Sequence, residues 1–233
     1  MKKTLLALAV AAALVPSLAM AEAGDIVVRV RATHIAPDES SSLGATTNAT
    51  LASSSVANTL YGSNSAELRV DSNTIPEIDF SYYITKNIAA ELILAVGTRH
   101  DVTITPGNGN QGKNLGSVNL LPPTLTAQWH FNPDQTFDPY VGAGLSYVRA
   151  MDNGLHGEGA GGLPIRISRN SFGPAIQAGF DYNLENRWLL NFDIKKIWFD
   201  TKVEADVGGG SWKKIDQLDV DPWVVSVGFG KKF

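Results

Sequence analysis

No cysteine occurs among the 233 residues. Disulfides and thiolate-bound metals are therefore excluded. Positive charge is also in short supply, with 19 Lys and Arg against 23 Asp and Glu. Phosphate backbones are held by basic patches, so nucleic acid is not an expected partner. Apolar runs of about 20 residues, the length of a membrane-spanning helix, are missing too. The one apolar run, Leu5–Val15, is shorter and has different flanks. Lys2 and Lys3 precede it, Pro16 and Ser17 break it, and Ala19-Met20-Ala21 follows with the small-residue spacing of a cleavage site. That pattern predicts a secretory signal peptide over residues 1–21 and a mature part over 22–233. Its removal takes two lysines and no acid, which moves the net charge from −4 to −6.

Helical periodicity is nearly absent after residue 24. What is present is alternation, the period-2 mark of a strand with two unlike faces. In Asn170–Asn183, Phe172, Pro174, Ile176, Ala178, Phe180 and Tyr182 oppose Ser171, Gly173, Ala175, Gln177, Gly179 and Asp181. Trp223, Val225, Val227 and Phe229 repeat the pattern near the C-terminus. Eight such segments are predicted, over 24–36, 73–84, 88–104, 117–132, 138–150, 169–183, 188–203 and 216–233. They match or exceed the roughly 9–11 residues with which a tilted strand crosses a bilayer. Short turns (Thr85-Lys86-Asn87, Asn132–Phe137, Leu184–Arg187) alternate with long connections, the longest about 37–72 and uncharged from Ser40 to Ala66. Short turns at one end and long loops at the other are the outer-membrane pattern. The expected fold is all-β: an eight-stranded antiparallel up-and-down transmembrane barrel with long extracellular loops and short periplasmic turns.

The apolar faces must meet lipid, so the other faces line the bore. That places Arg29, Arg31, Glu77, Asp79, Glu91, Asp181, Asp193 and Lys195 inside, as a polar plug toward the periplasmic half. An eight-stranded bore is just wide enough for side chains to fill, and buried charges have to pair. Toward the long-loop end the inward residues turn apolar: Ile93, Ala95, Ile197 and Phe199 form a candidate hydrophobic pathway. The loops add Leu43, Leu51, Val56, Leu60, Tyr61, Leu115, Met151, Leu155 and Leu163. Tyr82, Trp129, Phe131, Tyr140, Tyr182 and Trp188 fall beside the short turns and are expected as a periplasmic aromatic girdle.

No catalytic constellation stands out. Four histidines (His34, His100, His130, His156) have no Ser or acid at a spacing that fixes a triad on one face. Gly154–Gly162 lacks the phosphate-loop pattern and no helix follows it. Asp101, Asp152 and Glu158 do not form an EF-hand. Neither enzymatic activity nor a metal or other cofactor is expected.

Several segments taken together are recognisable. They are Leu121-Pro122-Pro123-Thr124 with Gln128-Trp129, Pro139–Gly144, Gln177–Tyr182, Trp188–Asn191 and Asp221-Pro222-Trp223, with Asn87-Ile88, Glu91-Leu92 and Arg99-His100. In their order and spacing the chain resembles the OmpW family of outer-membrane proteins, which includes the AlkL-type proteins. The resemblance implies a narrow, partly hydrophobic bore opening outward, with Ile93 near its constriction. It implies a passive conduit for small hydrophobic molecules, released laterally through the barrel wall. The alternative is a structural or surface-interaction barrel that makes receptor or adhesion contacts through its long loops. The expected partners are outer-membrane lipid and lipopolysaccharide, small hydrophobic solutes, and the barrel-assembly machinery reading Phe233 as a terminal signal. The expected location is the outer membrane.

Overall fold

A computed structural model describes residues 22–95, 98–105, 113–155 and 163–233. The predicted signal peptide, Val96 and Gly97 of the third strand, and His156 and Glu158 with most of the glycine-rich loop lie outside the described residues. The first elements are β1 (Ile26–Ala36), α1 (Leu43–Thr50), α2 (Val56–Tyr61), β2 (Glu67–Val70), β3 (Asn73–Tyr83) and β4 (Ile88–Ala95). Then come β5 (Thr98–Thr105), β6 (Lys113–Leu121), β7 (Thr124–His130), β8 (Phe137–Asp152) and β9 (Gly154–Leu155). The last are β10 (Ile165–Ile167), β11 (Asn170–Asn183), β12 (Trp188–Ile197), β13 (Asp200–Asp206), β14 (Trp212–Asp219) and β15 (Trp223–Lys232).

Eight strands close on themselves in the order β1, β3, β4, β7, β8, β11, β12, β15 and back to β1, every pair antiparallel. Closure leaves no open edge, the condition for a sheet in hydrocarbon. Alternation sorts the side chains. Leu145 and Phe172 stand 65% and 70% exposed on the outer wall, while Ser146, Ala175 and Gln177 are buried inside. The turn between β11 and β12 holds Asn186 and Arg187 at φ 58° and 63°. Two left-handed residues give the turn that matches the twist of a hairpin.

Three of the expected strands are each two strands: residues 117–132 split into β6 and β7, 188–203 into β12 and β13, and 216–233 into β14 and β15, while 88–104 is described as β4 and β5 on either side of residues 96 and 97. The physical reason is visible at two of the breaks. Pro122 and Pro123 have no N–H to donate to a ladder. Asp221 sits at φ 37°, and Pro222 follows it. The outer pieces build a layer above the membrane. There β2, β5 and β6 extend from the edge of β8, while β14, β13, β10 and β9 form a separate sheet.

The segment 37–72, expected to be a loop, contains α1, α2 and β2. Leu43, Ala57 and Tyr61 bury themselves against Leu68, Val203 and Ile215 in one apolar core. Burial raises the pKa of the Tyr61 hydroxyl, and its hydrogen bond with Thr47 partly offsets this. Of the loop residues expected to point into a cavity, Met151 does not. It lies 58% exposed, on the same outward face of β8 as Leu145 and Tyr147.

Candidate functional site

The lower bore is filled from β1. Arg29 and Arg31 point inward opposite Gly230 and Gly228 of β15. A Cβ at either glycine would come within 2.7 Å of the arginine Cγ, so only glycine leaves room for those stems. Arg29 reaches Asp79 at 2.9 Å and Asp181 at 2.5 Å. Arg31 reaches Glu77 at 2.7 Å, Asp79 at 2.9 Å and Glu91 at 3.3 Å. Lys195 holds Asp193 at 3.1 Å. All eight residues are buried. Five carboxylates thus face three cations, and neutral donors supplement the cations. Thr126 and Gln177 donate to Glu91, Asn191 to Asp181, and Tyr140 to Asp193, all at 2.7–3.0 Å. Thr126, Gln177 and Asn191 went unnamed in the sequence reading of the plug, although each shares the inward parity of its strand.

Below the arginines, His130 lies 2.7 Å from Asp138 and in hydrogen-bond reach of Tyr83. His130, Asp138 and Asp181 bring their ligand atoms within 4.8 Å of one another. Asp181 is already gripped by Arg29 at two atoms and by Asn191. A cation there would have to displace Arg29.

Above the plug the bore becomes a narrow cavity. It holds about 540 Å³ unfilled by atoms, its mouth included, and Ile93, Ala95, Ile197 and Phe199 all line it. Glu77 and Lys195 lie at its polar side, with Thr33, Thr98 and Thr124. A second cavity, about 530 Å³ unfilled by atoms with its open mouth included, lies in the outer layer, lined by Leu68, Val102, Val118, Leu155 and Leu218 among others. Leu120, Val148 and Phe199 line both. The two are neighbours in one apolar column.

Among the described residues, the pairing in the wall beside the lower cavity is interrupted. β4 and β7 pair from Ile88 with Trp129 up to Ile93 with Thr124. Pairing along that seam resumes between β5 and β6 at Thr98 with Leu120. Pro122 and Pro123 sit in the interval. Ile93, Ala95 and Thr98 on one side, and Leu120, Pro122 and Thr124 on the other, all line the cavity. Leu94, Leu121 and Leu125 are exposed on the outer face there.

The model of the OmpW family matches residues 22–233. The chain belongs to the OmpW family. Such proteins reside in the outer membrane, and so does this one. Outer membrane protein W of Escherichia coli strain K12 is 34% identical over 100% of this chain and 99% of its own. Outer membrane protein AlkL of Ectopseudomonas oleovorans is 28% identical, over 70% of this chain and 67% of its own. The crystal structure of the outer membrane protein OprG from Pseudomonas aeruginosa superposes with a TM-score of 0.74 at 29% identity, covering 93% of this chain and 99% of that one.

At the short-turn rim of this OmpW-family barrel, Tyr82, Trp129, Phe131, Tyr182 and Trp188 are exposed on the outer wall. Tyr140 is not among them. Register places it inward, opposite Gly179 on β11, with its hydroxyl on Asp193. A Cβ at Gly179 would lie 2.6 Å from that hydroxyl, so the missing side chain is the space Tyr140 fills. Phe137, three residues earlier, is the exposed aromatic at that end of β8. Phe233 closes the β1–β15 seam by exchanging backbone hydrogen bonds with Ile26 at 2.8 and 3.2 Å. Its ring is exposed. Lys196 lies next to the inward Lys195, but its amine reaches Asp38 at 3.1 Å and the Asp221 carbonyl at 2.5 Å. A long stem carrying its charge up from the apolar band is ordinary lysine behaviour.

Proposed function

We propose that this barrel is a passive conduit for small, mainly apolar molecules, which enter from outside and leave sideways into the membrane. The observation that carries the proposal is the cavity beside the interrupted β4–β7 seam. A solute descending the apolar column meets Glu77, Lys195 and the arginine network below. Displacing paired buried charge costs several kcal/mol per ion. The side exit needs no charge to move, and among the described residues Pro122 and Pro123 have no N–H to donate to a ladder there. The solute is recognised by burial of apolar surface, worth about 25 cal/mol per Å². The barrel performs no chemistry, and His130 serves to fix Asp138 and Tyr83. Phe233 serves as the assembly signal and the exposed aromatics as the girdle.

The surface-interaction reading would need segment 40–66 to be a free arm. Instead Leu43, Ala57 and Tyr61 roof the outer core, which favours the conduit.

The test joins the two sides of the seam. Leu94→Cys with Leu121→Cys, cross-linked by a short thiol-reactive linker, should slow uptake of a long-chain alkane into cells carrying the protein. Reducing a cleavable linker should restore it. Unchanged uptake with correctly folded, fully cross-linked protein would overturn lateral release. Trimming 40–66 should also slow uptake. Loss of surface binding with uptake intact would instead support the alternative.

A further inference from the structure

The outer wall of β8, β11 and β13 carries a feature that the conduit does not use. Along β8 the outward positions run Val141, Ala143, Leu145, Tyr147, Arg149. Opposite them on β11 stand Ala178, Ile176, Pro174, Phe172 and Asn170. The rows stay apolar or aromatic as far as Tyr147 and Phe172, whose rings stack 4.7 Å apart. One row further out, the chemistry changes at once. Arg149 faces Asn170, and the Tyr147 hydroxyl donates to Asn170 Oδ1 at 2.6 Å.

Two more cations sit at the same height. Arg169 immediately precedes β11, and its carbonyl accepts from the Ala150 N–H at 2.8 Å. On the other side of that strand, the Lys202 carbonyl accepts from the Ser168 N–H at 3.0 Å. Arg149, Arg169 and Lys202 are all exposed. Among the described residues none of them makes an ion pair. Glu204, next after Lys202 on the same face of β13, is already taken by Arg166 at 2.7 Å. Arg149 stands opposite Asn170 and Lys202 opposite Ser168, on the two sides of the segment that leads into β11. The corresponding level of β1 and β3 carries no such row. There His34 and Thr74 satisfy each other at 2.9 Å.

We propose that this row docks the phosphorylated headgroup of the outer leaflet's glycolipid, lipopolysaccharide. Its acyl chains lie along Leu145 and Phe172, and its phosphates meet the Arg149 guanidinium and the Lys202 ammonium, while Arg169, paired with the inward Ala150, adds positive charge at the bend into β11. The row stands at the long-loop end, the external side of an outer-membrane barrel. Guanidinium forks match phosphate oxygens in pairs. Unpaired cations directly above an aromatic row fit a ligand that is apolar below and anionic above. The assignment is independent of solute transport.

The test uses the full mature chain, purified and folded in detergent, and measures binding of lipopolysaccharide. One variant combines Arg149→Gln, Arg169→Gln and Lys202→Gln. A charge-matched control combines Lys113→Gln, Lys213→Gln and Lys214→Gln at exposed positions elsewhere in the outer layer. Folding of both is checked by the shift of the heated band in gels. The first variant should lose affinity about tenfold or more, roughly 1.4 kcal/mol or greater, and the control should bind as wild type does. Dephosphorylated lipopolysaccharide should bind wild type as weakly as the intact lipid binds the first variant. Equal loss in the control, undiminished binding by the first variant, or tight binding of the dephosphorylated lipid would each overturn the assignment. So would equally tight binding of phosphatidylglycerol, which would make the row a general anionic-lipid contact.

Discussion

The lower bore and the outer layer are built from consecutive stretches of the same chain, yet they are held in opposite ways. In the lower bore the interior is ionic, with Arg29 and Arg31 spanning β1, β3, β4 and β11 through four carboxylates. Above these ion pairs the lining turns mainly apolar, and space remains between the side chains. Directional bonds close a bore firmly, because each group that moves leaves a partner unpaired. Apolar contacts are non-directional, so side chains can slide past a guest without stranding one. A plugged floor under a yielding column is the arrangement that the proposed lateral route requires.

The contrast makes the two halves fail differently. Arg31→Ala should have the largest effect. It leaves Glu77, Asp79 and Glu91 facing one another with one cation fewer, at a cost of about 3–5 kcal/mol. The urea midpoint of the folded band in gels should fall accordingly, and an unchanged midpoint would mean the network holds nothing. Leu68→Ala, in the apolar layer, should cost about 2–5 kcal/mol and sit toward the low end, because the neighbouring cavity lets the site relax. Its signature is local: proteolysis of the outer segments should speed up while the barrel stays intact. Loss of both together would erase the distinction drawn between the regions. Tyr140→Phe returns to the bore with a smaller change. It removes the hydrogen bonds to Asp193 and from Asn191, at a cost of about 1–3 kcal/mol. Intrinsic tyrosine fluorescence during urea unfolding would report it.

The same contrast sets what could be read from sequence. A strand's alternation is local, so the inward parity of Arg29, Glu77, Glu91 and Lys195 shows in a window of a few residues. Which of them meet depends on register between strands far apart in sequence, 152 residues in the case of Arg29 and Asp181. No local pattern encodes that. Tyr140 misled because aromatics near short turns suit either face. Only the small Gly179 across the ladder decides for the inside. The outer layer was less legible. α1, with the sequence LGATTNAT, has little amphipathic pattern and no side-chain cap. It exists because Leu43 and Thr47 are buried from outside the helix, and because the Gly44 N–H donates to the Ala66 carbonyl at 2.9 Å. The breaks at Pro122-Pro123 and Asp221-Pro222 were present as residues. Their meaning, strands leaving the barrel for a second layer, needs the tertiary partners.

The smallest effect separates the regions by charge. In the bore carboxylates lie against cations. In the outer layer, slight burial and then the neighbouring carboxylates of Asp221, Asp200 and Asp216 raise the pKa of Asp219 above its ordinary value. The folded protein therefore keeps this proton to a higher pH than the unfolded chain does. Across that window the folded state binds more protons, so stability falls as pH rises from the unfolded value through the folded one. At neutral pH the repulsion is fully present. Asp219→Asn removes it and keeps the backbone pairing with Ser40, at 3.0 and 3.1 Å in the two directions. The variant should resist proteolysis of the outer layer slightly better than wild type at pH 7, and the gain should vanish below the ordinary carboxylate pKa, where Asp219 is protonated in both states. The urea midpoint of the barrel should stay where it was. A gain that persists unchanged at acid pH would assign the effect to packing at Asp219 rather than to its charge.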